Sequence, residues 1–165
     1  MTLIWAPTWI AGRSNRQSLS NLEIIEISFG SLLYEQSKTF RHEILRRPLG
    51  LTLSAADIVD EDKQIHIVAL EAGEVLGTVL LKPLNDGVVK LRQMAVSPRT
   101  QGSGCGRKLV LYAEQTAVSR GFGVIELNAR VSARGFYEKL GYAAFGDEFI
   151  EVTVPTIKMV KSLSS

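Results

Sequence analysis

Residues 101–106 read Gln101-Gly102-Ser103-Gly104-Cys105-Gly106, three glycines in six positions between an apolar run and a stretch of helical spacing. Backbone without Cβ atoms can approach a ligand closely. The first N–H groups of a helix have no partner inside it and lie at the positive end of its dipole. A phosphate is the natural guest of such a turn, and Arg99, Arg107 and Lys108 add positive charge beside it. A plain strand-to-helix connection needs a single glycine, so three favour the phosphate.

The familiar phosphate and nucleophile patterns do not fit. In the pattern G-x-x-x-x-G-K-[ST] the lysine precedes a hydroxyl residue, whereas Lys108 precedes Leu109. The third glycine of G-x-G-x-x-G is Arg107 when counted from Gly102, and Leu109 when counted from Gly104. The hydrolase elbow G-x-S-x-G fails because Gln101 and Cys105 stand two residues either side of Ser103. Cys105 is the single cysteine, so the chain has no internal disulfide and no cysteine-built metal site. A nucleophilic cysteine needs a nearby histidine. The two histidines, His42 and His66, stand at no ligand spacing, so a His-based metal site or triad is not expected.

The elements that must position this turn can be read from periodicity. A short strand is expected over 22–28, then a helix over 30–47 that Pro48 and Gly50 stop. Residues 54–62 form an acidic loop with a helical turn. Two β-rich runs, 64–72 and 74–81, meet at Ala72-Gly73 as a hairpin, and a second turn at 83–87 leads into a strand over 88–96. In that strand simple alternation puts Leu91, Gln93 and Ala95 on one face and Arg92, Met94 and Val96 on the other. After the glycine-rich turn, Gly106, Leu109, Val110, Ala113 and Ala117 mark the buried stripe of a helix, which Gly121 closes. A strand over 124–129, a short helix over 132–140 and final strands over 142–145 and 149–160 complete the chain. The order β-α-α-β-β-β-α-β-α-β-β implies an α/β (α+β) fold, with helices flanking a mixed, mostly antiparallel sheet.

The spacing Q-x-x-G-x-G at Gln101, Gly104 and Gly106, after a strand ending Met94-Ala95-Val96-Ser97-Pro98, carries a resemblance. The stretch LRQMAVSPRTQGSGCGRKLV resembles the acetyl-CoA-binding core of the GNAT acyltransferase superfamily. The stretch LNARVSARGFYEKLGY resembles the second motif of that family, ending F-Y-x-K-x-G-[FY]. The two stand in the family's order and spacing across 88–142, and the segments GDEFIEVTVPTIKM and RHEILRRPLG are similar to its ElaA-like branch.

The resemblance implies roles for named residues. The backbone of Gln101, Gly102, Ser103, Gly104, Cys105 and Gly106, with Arg107 beside it, would cradle the CoA pyrophosphate. The strand Met94, Ala95, Val96 would splay from its neighbour after Asn128 and pair with the pantetheine arm as an added strand. Family members often carry Asn six residues before the Phe of F-Y. This chain has Arg130 there, and Asn128 stands two residues earlier as the substitute. Tyr137 occupies the position of the acid that protonates the departing thiolate, and a tyrosine pKa near about 10 suits that task. A backbone N–H of the 94–96 strand would stabilise the oxyanion. No base is assigned, although Glu126 and Glu71 are options. Cys105 reads as a small filler and His66 as structural or at a rim. His42 and the run Arg41, Arg46, Arg47 read as a solvated helix face, the alternative for the arginines being to guide the CoA 3′-phosphate or an acidic substrate.

The whole chain fits this frame. Its 165 residues suit one domain, expected over 21–165, behind a loosely ordered leader over 1–20 that carries Trp5, Trp9, Arg13 and Arg16. Nineteen Lys and Arg against seventeen Asp and Glu leave a net charge of +2, with no basic stripe of interleaved aromatics, so nucleic acid is not an expected partner. No run reaches the ~20 apolar residues of a membrane span. The expectation is a cytoplasmic, acetyl-CoA-dependent N-acetyltransferase acting directly on a primary amine of a small molecule or peptide, without a metal. The alternative is a non-catalytic acyl-CoA-binding regulatory module. The apolar last strand, 150–160, is expected to offer a homodimer edge.

Overall fold

The computed structural model describes residues 21–164. The leader expected over 1–20 lies outside the described residues. Strands β1 (Glu23–Ile27), β2 (Ile65–Glu71), β3 (Glu74–Pro83) and β4 (Val88–Val96) form an antiparallel meander. Helix α1 (Leu32–Arg41) lies between β1 and β2 in sequence, and helix α2 (Cys105–Ser119) follows β4. Strand β5 (Val124–Arg130), helix α3 (Arg134–Lys139) and the hairpin β6 (Ala143–Glu151) and β7 (Val154–Ser162) complete the fold. One seven-stranded sheet results, in the order β1-β2-β3-β4-β5-β7-β6, with β4–β5 as its parallel pair. The mixed, mostly antiparallel α+β architecture read from the sequence is the one observed.

The main core lies between the sheet and α2. Leu109, Val110, Ala113 and Ala117 of the helix pack on Ile67, Val79, Leu91 and Leu127, all buried. Gly77 of β3 admits the helix. A Cβ there would lie 2.6 Å from Leu109 Cδ1 and 3.3 Å from the Ala95 carbonyl oxygen. The opposite face of the sheet is covered by α1 and the turns after it. Ser31 caps α1 by accepting from the Tyr34 N–H at 3.2 Å.

Four expectations change. The helix expected over 30–47 ends at Arg41 and continues as a π turn, His42–Arg46, and a 3-10 turn, Arg47–Leu49. Pro48 cannot extend an α-helix, and the wider π turn buries the sequence neighbours Leu45 and Arg46 together. The last two strands turn at Val152-Thr153, where φ is +48° and +64°, and not at 146–148. Gly146 and its neighbours instead make an irregularity inside β6, between Phe145 and Phe149. A primed turn made of two β-branched residues has no turn signature, so the sequence does not announce it. Third, β7 is not an edge. It pairs with β5 on one side and β6 on the other, so the edge at this end of the sheet is β6, with Phe145 and Ile150 exposed.

The fourth change concerns β4. Gln93 has φ +51° and the β3 pairing shifts there, from Leu80↔Arg92 to Thr78↔Ala95. A bulge adds one residue and reverses the facing of the residues after it. Met94 and Val96 therefore join Leu91 in the core under α2, while Ala95 packs on Leu45 on the α1 side. The simple alternation expected for this strand does not hold. Two adjacent polar residues, Arg92-Gln93, inside an apolar strand were the available sign of the bulge.

Candidate functional site

Strands β4 and β5 pair only from Val88↔Val124 to Leu91↔Leu127. Beyond that point β5 continues beside β7 and β4 beside β3, so a wedge opens in mid-sheet. The bulge at Gln93 lies on one bank of this wedge and Asn128 to Arg130 form the other.

The glycine-rich turn leads from the end of β4 into α2. Pro98–Thr100 form a 3-10 turn, and Ser103 Oγ donates to the Thr100 carbonyl. Gly104 is the N-cap of α2 at φ +88° and has no side chain to cap it, and the Cys105 N–H reaches Ser103 Oγ at 3.4 Å. A Cβ built on Gly102 or Gly104 meets nothing within 4 Å, so the backbone faces open space. A helix start with room in front of it is a ready anion seat. Gln101 is half-buried, Arg107 exposed and Cys105 fully buried. Burial pushes the Cys105 thiol up, as expected of a filler rather than a nucleophile.

Tyr137 sits on α3 and its side chain is wholly buried in the cluster that holds Met94, Val96, Cys105 and Ala129. Its ring packs edge-on against Phe136 at 4.9 Å and Tyr142 at 5.7 Å. Its hydroxyl has no hydrogen-bond partner among the described residues. Burial pushes its pKa well above the ordinary tyrosine value, so the group holds its proton. Tyr142, by contrast, donates to Glu114 at 3.0 Å. An orphaned buried hydroxyl is uncommon in a well-packed core.

Asn128 points away from this cluster. Ile125, Leu127 and Ala129 face α2, so Glu126, Asn128 and Arg130 face the other side. There Asn128 donates to Glu151 at 3.2 Å and Glu126 pairs with Lys158 at 3.2 Å. Glu71 is half-buried at the far end of β2.

The α1 side holds a network that sequence reading missed. Arg41 and Arg46, expected on a solvated face, are buried at 0% and 2% exposure, and only Arg47 is exposed as expected. Arg41 binds Glu61 through both nitrogens, at 2.5 and 2.9 Å, and donates to Gln93 Oε1 at 3.2 Å. Tyr34 donates to the same carboxylate at 2.8 Å. Burial pushes the Glu61 carboxyl up, but Arg41 and Tyr34 outweigh it and hold it below the usual range. Asp57 stays low for the same kind of reason. Arg46 at 2.7 Å and the Ser54 N–H overcome its burial.

Arg92 donates to Gln64 at 2.6 Å and to the Asp57 carbonyl at 3.2 Å. His66 is buried, with Nε2 2.7 Å from the Glu61 carbonyl, and burial lowers its pKa. It therefore holds its one proton on Nε2 and is structural. His42 is partly buried and accepts the Leu53 N–H through Nδ1 at 3.3 Å. Arg41 and Glu61 lie twenty residues apart with a loop between, so no local pattern links them. Among the described residues no cluster of His, Cys, Asp and Glu could hold a metal ion.

Comparison with known proteins assigns the family. The model of the Acetyltransferase (GNAT) family matches residues 29–142, so the chain belongs to that family and is an acyltransferase. A Bacillus subtilis (strain 168) protein named as an acetyltransferase is 28% identical over 114 residues, spanning 69% of this chain and 76% of that one. An N-acetyltransferase structure from Lactobacillus plantarum superposes with TM-score 0.79 at 26% identity, over 87% of this chain and 99% of that one. Escherichia coli ElaA shares the fold, with TM-score 0.74 at 18% identity over 85% of this chain and 99% of that one. No helix among the described residues is long and apolar enough to cross a membrane.

Proposed function

We propose that the protein transfers an acetyl group from acetyl-CoA directly to a primary amine of a small molecule or peptide. The observation that carries this reading is the Tyr137 hydroxyl, buried and without a hydrogen-bond partner among the described residues, in the cluster that also holds Met94 and Val96 of the open wedge. A neighbour of the same fold, an aminoglycoside 6'-N-acetyltransferase solved with coenzyme A, superposes with TM-score 0.71 at 22% identity.

The residues present fit such a donor. The start of α2, with open space beside Gly102 and Gly104 and Gly104 as its N-cap, suits a pyrophosphate. Among the described residues Met94, Ala95 and Val96 have no partner strand on the β5 side, and they can pair with amide groups of an extended arm. Acetyl-CoA, when bound, supplies an acyl carbon activated as a thioester and a thiol as leaving group. As the neutral amine nitrogen bonds to the acyl carbon and the C–S bond breaks, Tyr137 would donate its Oη proton to the departing sulfur and the proton released by the nitrogen would restore Tyr137 through water, while an N–H beyond the Gln93 bulge would stabilise the negative charge that develops on oxygen. Holding both reactants in one wedge supplies much of the barrier reduction, so no covalent enzyme intermediate is required.

The test has two arms. Millimolar acetyl-CoA raises the melting temperature, since a ligand at about 100 times its Kd adds roughly 2.7 kcal/mol. Free CoA is then released when a panel of primary amines is supplied. Binding without release by any amine would leave a non-catalytic acyl-CoA module. A melt unmoved by acetyl-CoA would overturn the reading altogether.

A further inference from the structure

Four guanidinium groups are buried on the α1 side of the sheet, those of Arg41, Arg46, Arg92 and Arg130. Three are accounted for. Arg41 has Glu61, Arg46 has Asp57, and Arg92 has Gln64 and the Asp57 carbonyl. Arg130, only 8% exposed, makes no hydrogen bond or ion pair among the described residues, and its Nε is sealed without a partner. Its two Nη nitrogens are not sealed. The charge nearest to it in effect is that of Arg46, another cation. Burial first and Arg46 second lower the Arg130 pKa to about 10, which leaves it charged at neutral pH. A largely buried charge without a counter-charge is disfavoured, and the open Nη edge of this one offers a seat for an anion.

Its place in the fold says which anion. Arg130 ends β5, three residues past the last β4–β5 pair, with β7 on one flank and the wedge on the other. It lies on the sheet face opposite α2, hence opposite the turn suited to the donor's pyrophosphate. We infer that the acceptor amine carries a second, anionic group, a carboxylate or a phosphate monoester, which seats on the Arg130 guanidinium at the mouth of the wedge. This rests on the acetyl-transfer reading above. A guanidinium presents parallel N–H donors that match two oxygens of either group.

The experiment uses matched acceptors that differ only in the anion. L-amino acids are paired with their carboxamides, and phosphoethanolamine with ethanolamine. Each is assayed for CoA release from acetyl-CoA and titrated calorimetrically into the protein saturated with CoA. The anionic member of one set is expected to show at least a tenfold higher kcat/KM and tighter binding than its neutral partner, and which set responds identifies carboxylate or phosphate. Arg130→Gln reduces that preference by about tenfold or more, and Arg130→Lys restores part of it. The melting temperature of Arg130→Gln stays level or rises, because an uncompensated charge is removed.

Neutral amines used and bound as well as their anionic partners would overturn the inference while leaving acetyl transfer intact. So would an Arg130→Gln variant that loses acetyl-CoA affinity instead of acceptor preference, or one that melts well below wild type. If no amine releases CoA, the calorimetric preference alone decides, and its absence overturns the inference. Failure of acetyl-CoA to bind the wild type would remove both readings together.

Discussion

The two faces of the sheet are built on different physics. Toward α2 and α3 the interior is apolar, from Ile67 and Leu91 to Leu109 and Met159, with one polar atom left over, the Tyr137 hydroxyl. Toward α1 the interior is charged, with two wholly or nearly wholly buried ion pairs and further guanidinium groups. Apolar burial is non-directional and stabilises by area removed from water. Buried ion pairs barely offset their desolvation, and their value lies in fixing geometry. The apolar face thus acts as scaffold and presents one proton. The charged face holds the Gln93 bulge, through Arg41, in a left-handed conformation that a residue with a side chain adopts only under constraint.

Breaking the charged face gives the largest expected effect. Glu61→Gln leaves Arg41 buried without its counter-charge and costs about 3–5 kcal/mol of stability. The triple variant Tyr34→Phe/Arg41→Met/Glu61→Leu, which also removes the hydroxyl that donates to Glu61, is expected to recover most of that loss, because an apolar cluster of similar volume is often neutral. Thermal and urea melts decide it. If single and triple variants melt alike, the pair is no more than packing and the contrast between the faces fails.

Next comes the turn that opens the scaffold face. Gly104→Glu forces a side chain into a left-handed position and sets a carboxylate where an anion would sit. Affinity for acetyl-CoA falls by about a thousandfold or more, several kcal/mol, while circular dichroism shows an intact fold. Wild-type affinity in the titration would move the pyrophosphate elsewhere.

Tyr137→Phe separates stability from chemistry on the apolar face. The lost hydroxyl had no partner among the described residues, so the melting temperature stays level or rises slightly. Turnover falls by about a hundredfold, the low end for general acid catalysis, with the acetyl-CoA KM little changed. A kcat within about twofold of wild type, where chemistry limits turnover, would make Tyr137 a packing residue.

The smallest effect is a pH dependence confined to the charged face. Glu61, Asp57 and His66 all have folded pKa values pushed down. A depressed value means that the unfolded chain binds more protons, so stability is full above the unfolded pKa and falls with pH below it. His66 contributes a loss that begins below about pH 6.5, and the two carboxylates one that begins below about pH 4. His66→Gln, which can still donate to the Glu61 carbonyl, is expected to flatten the first step and leave the second. An unchanged profile between pH 5 and 6.5 would show that His66 does not titrate with unfolding.

Much of this molecule is determined by local sequence. The order of elements, the hairpin at Ala72-Gly73, the glycine-rich start of α2 and its Gly121 stop come from periodicity and turn chemistry, because each is encoded within a few residues. The family motifs are equally contiguous, 94–106 and 127–142, and so were legible. Tertiary structure alone decided three things. The chain turns at Val152-Thr153 because β7 must pair with both β5 and β6, against the preference of β-branched residues. Arg41 and Arg46 turn inward because Glu61 and Asp57, distant in sequence, arrive beneath them, and a charge is buried only where its partner waits. Arg130 is left unpaired because β4 and β5 part at Leu91 and Leu127, a splay that depends on a bulge in one strand and on a neighbour of the other. Periodicity says which face a residue takes. Only the assembled sheet decides whether anything stands opposite it.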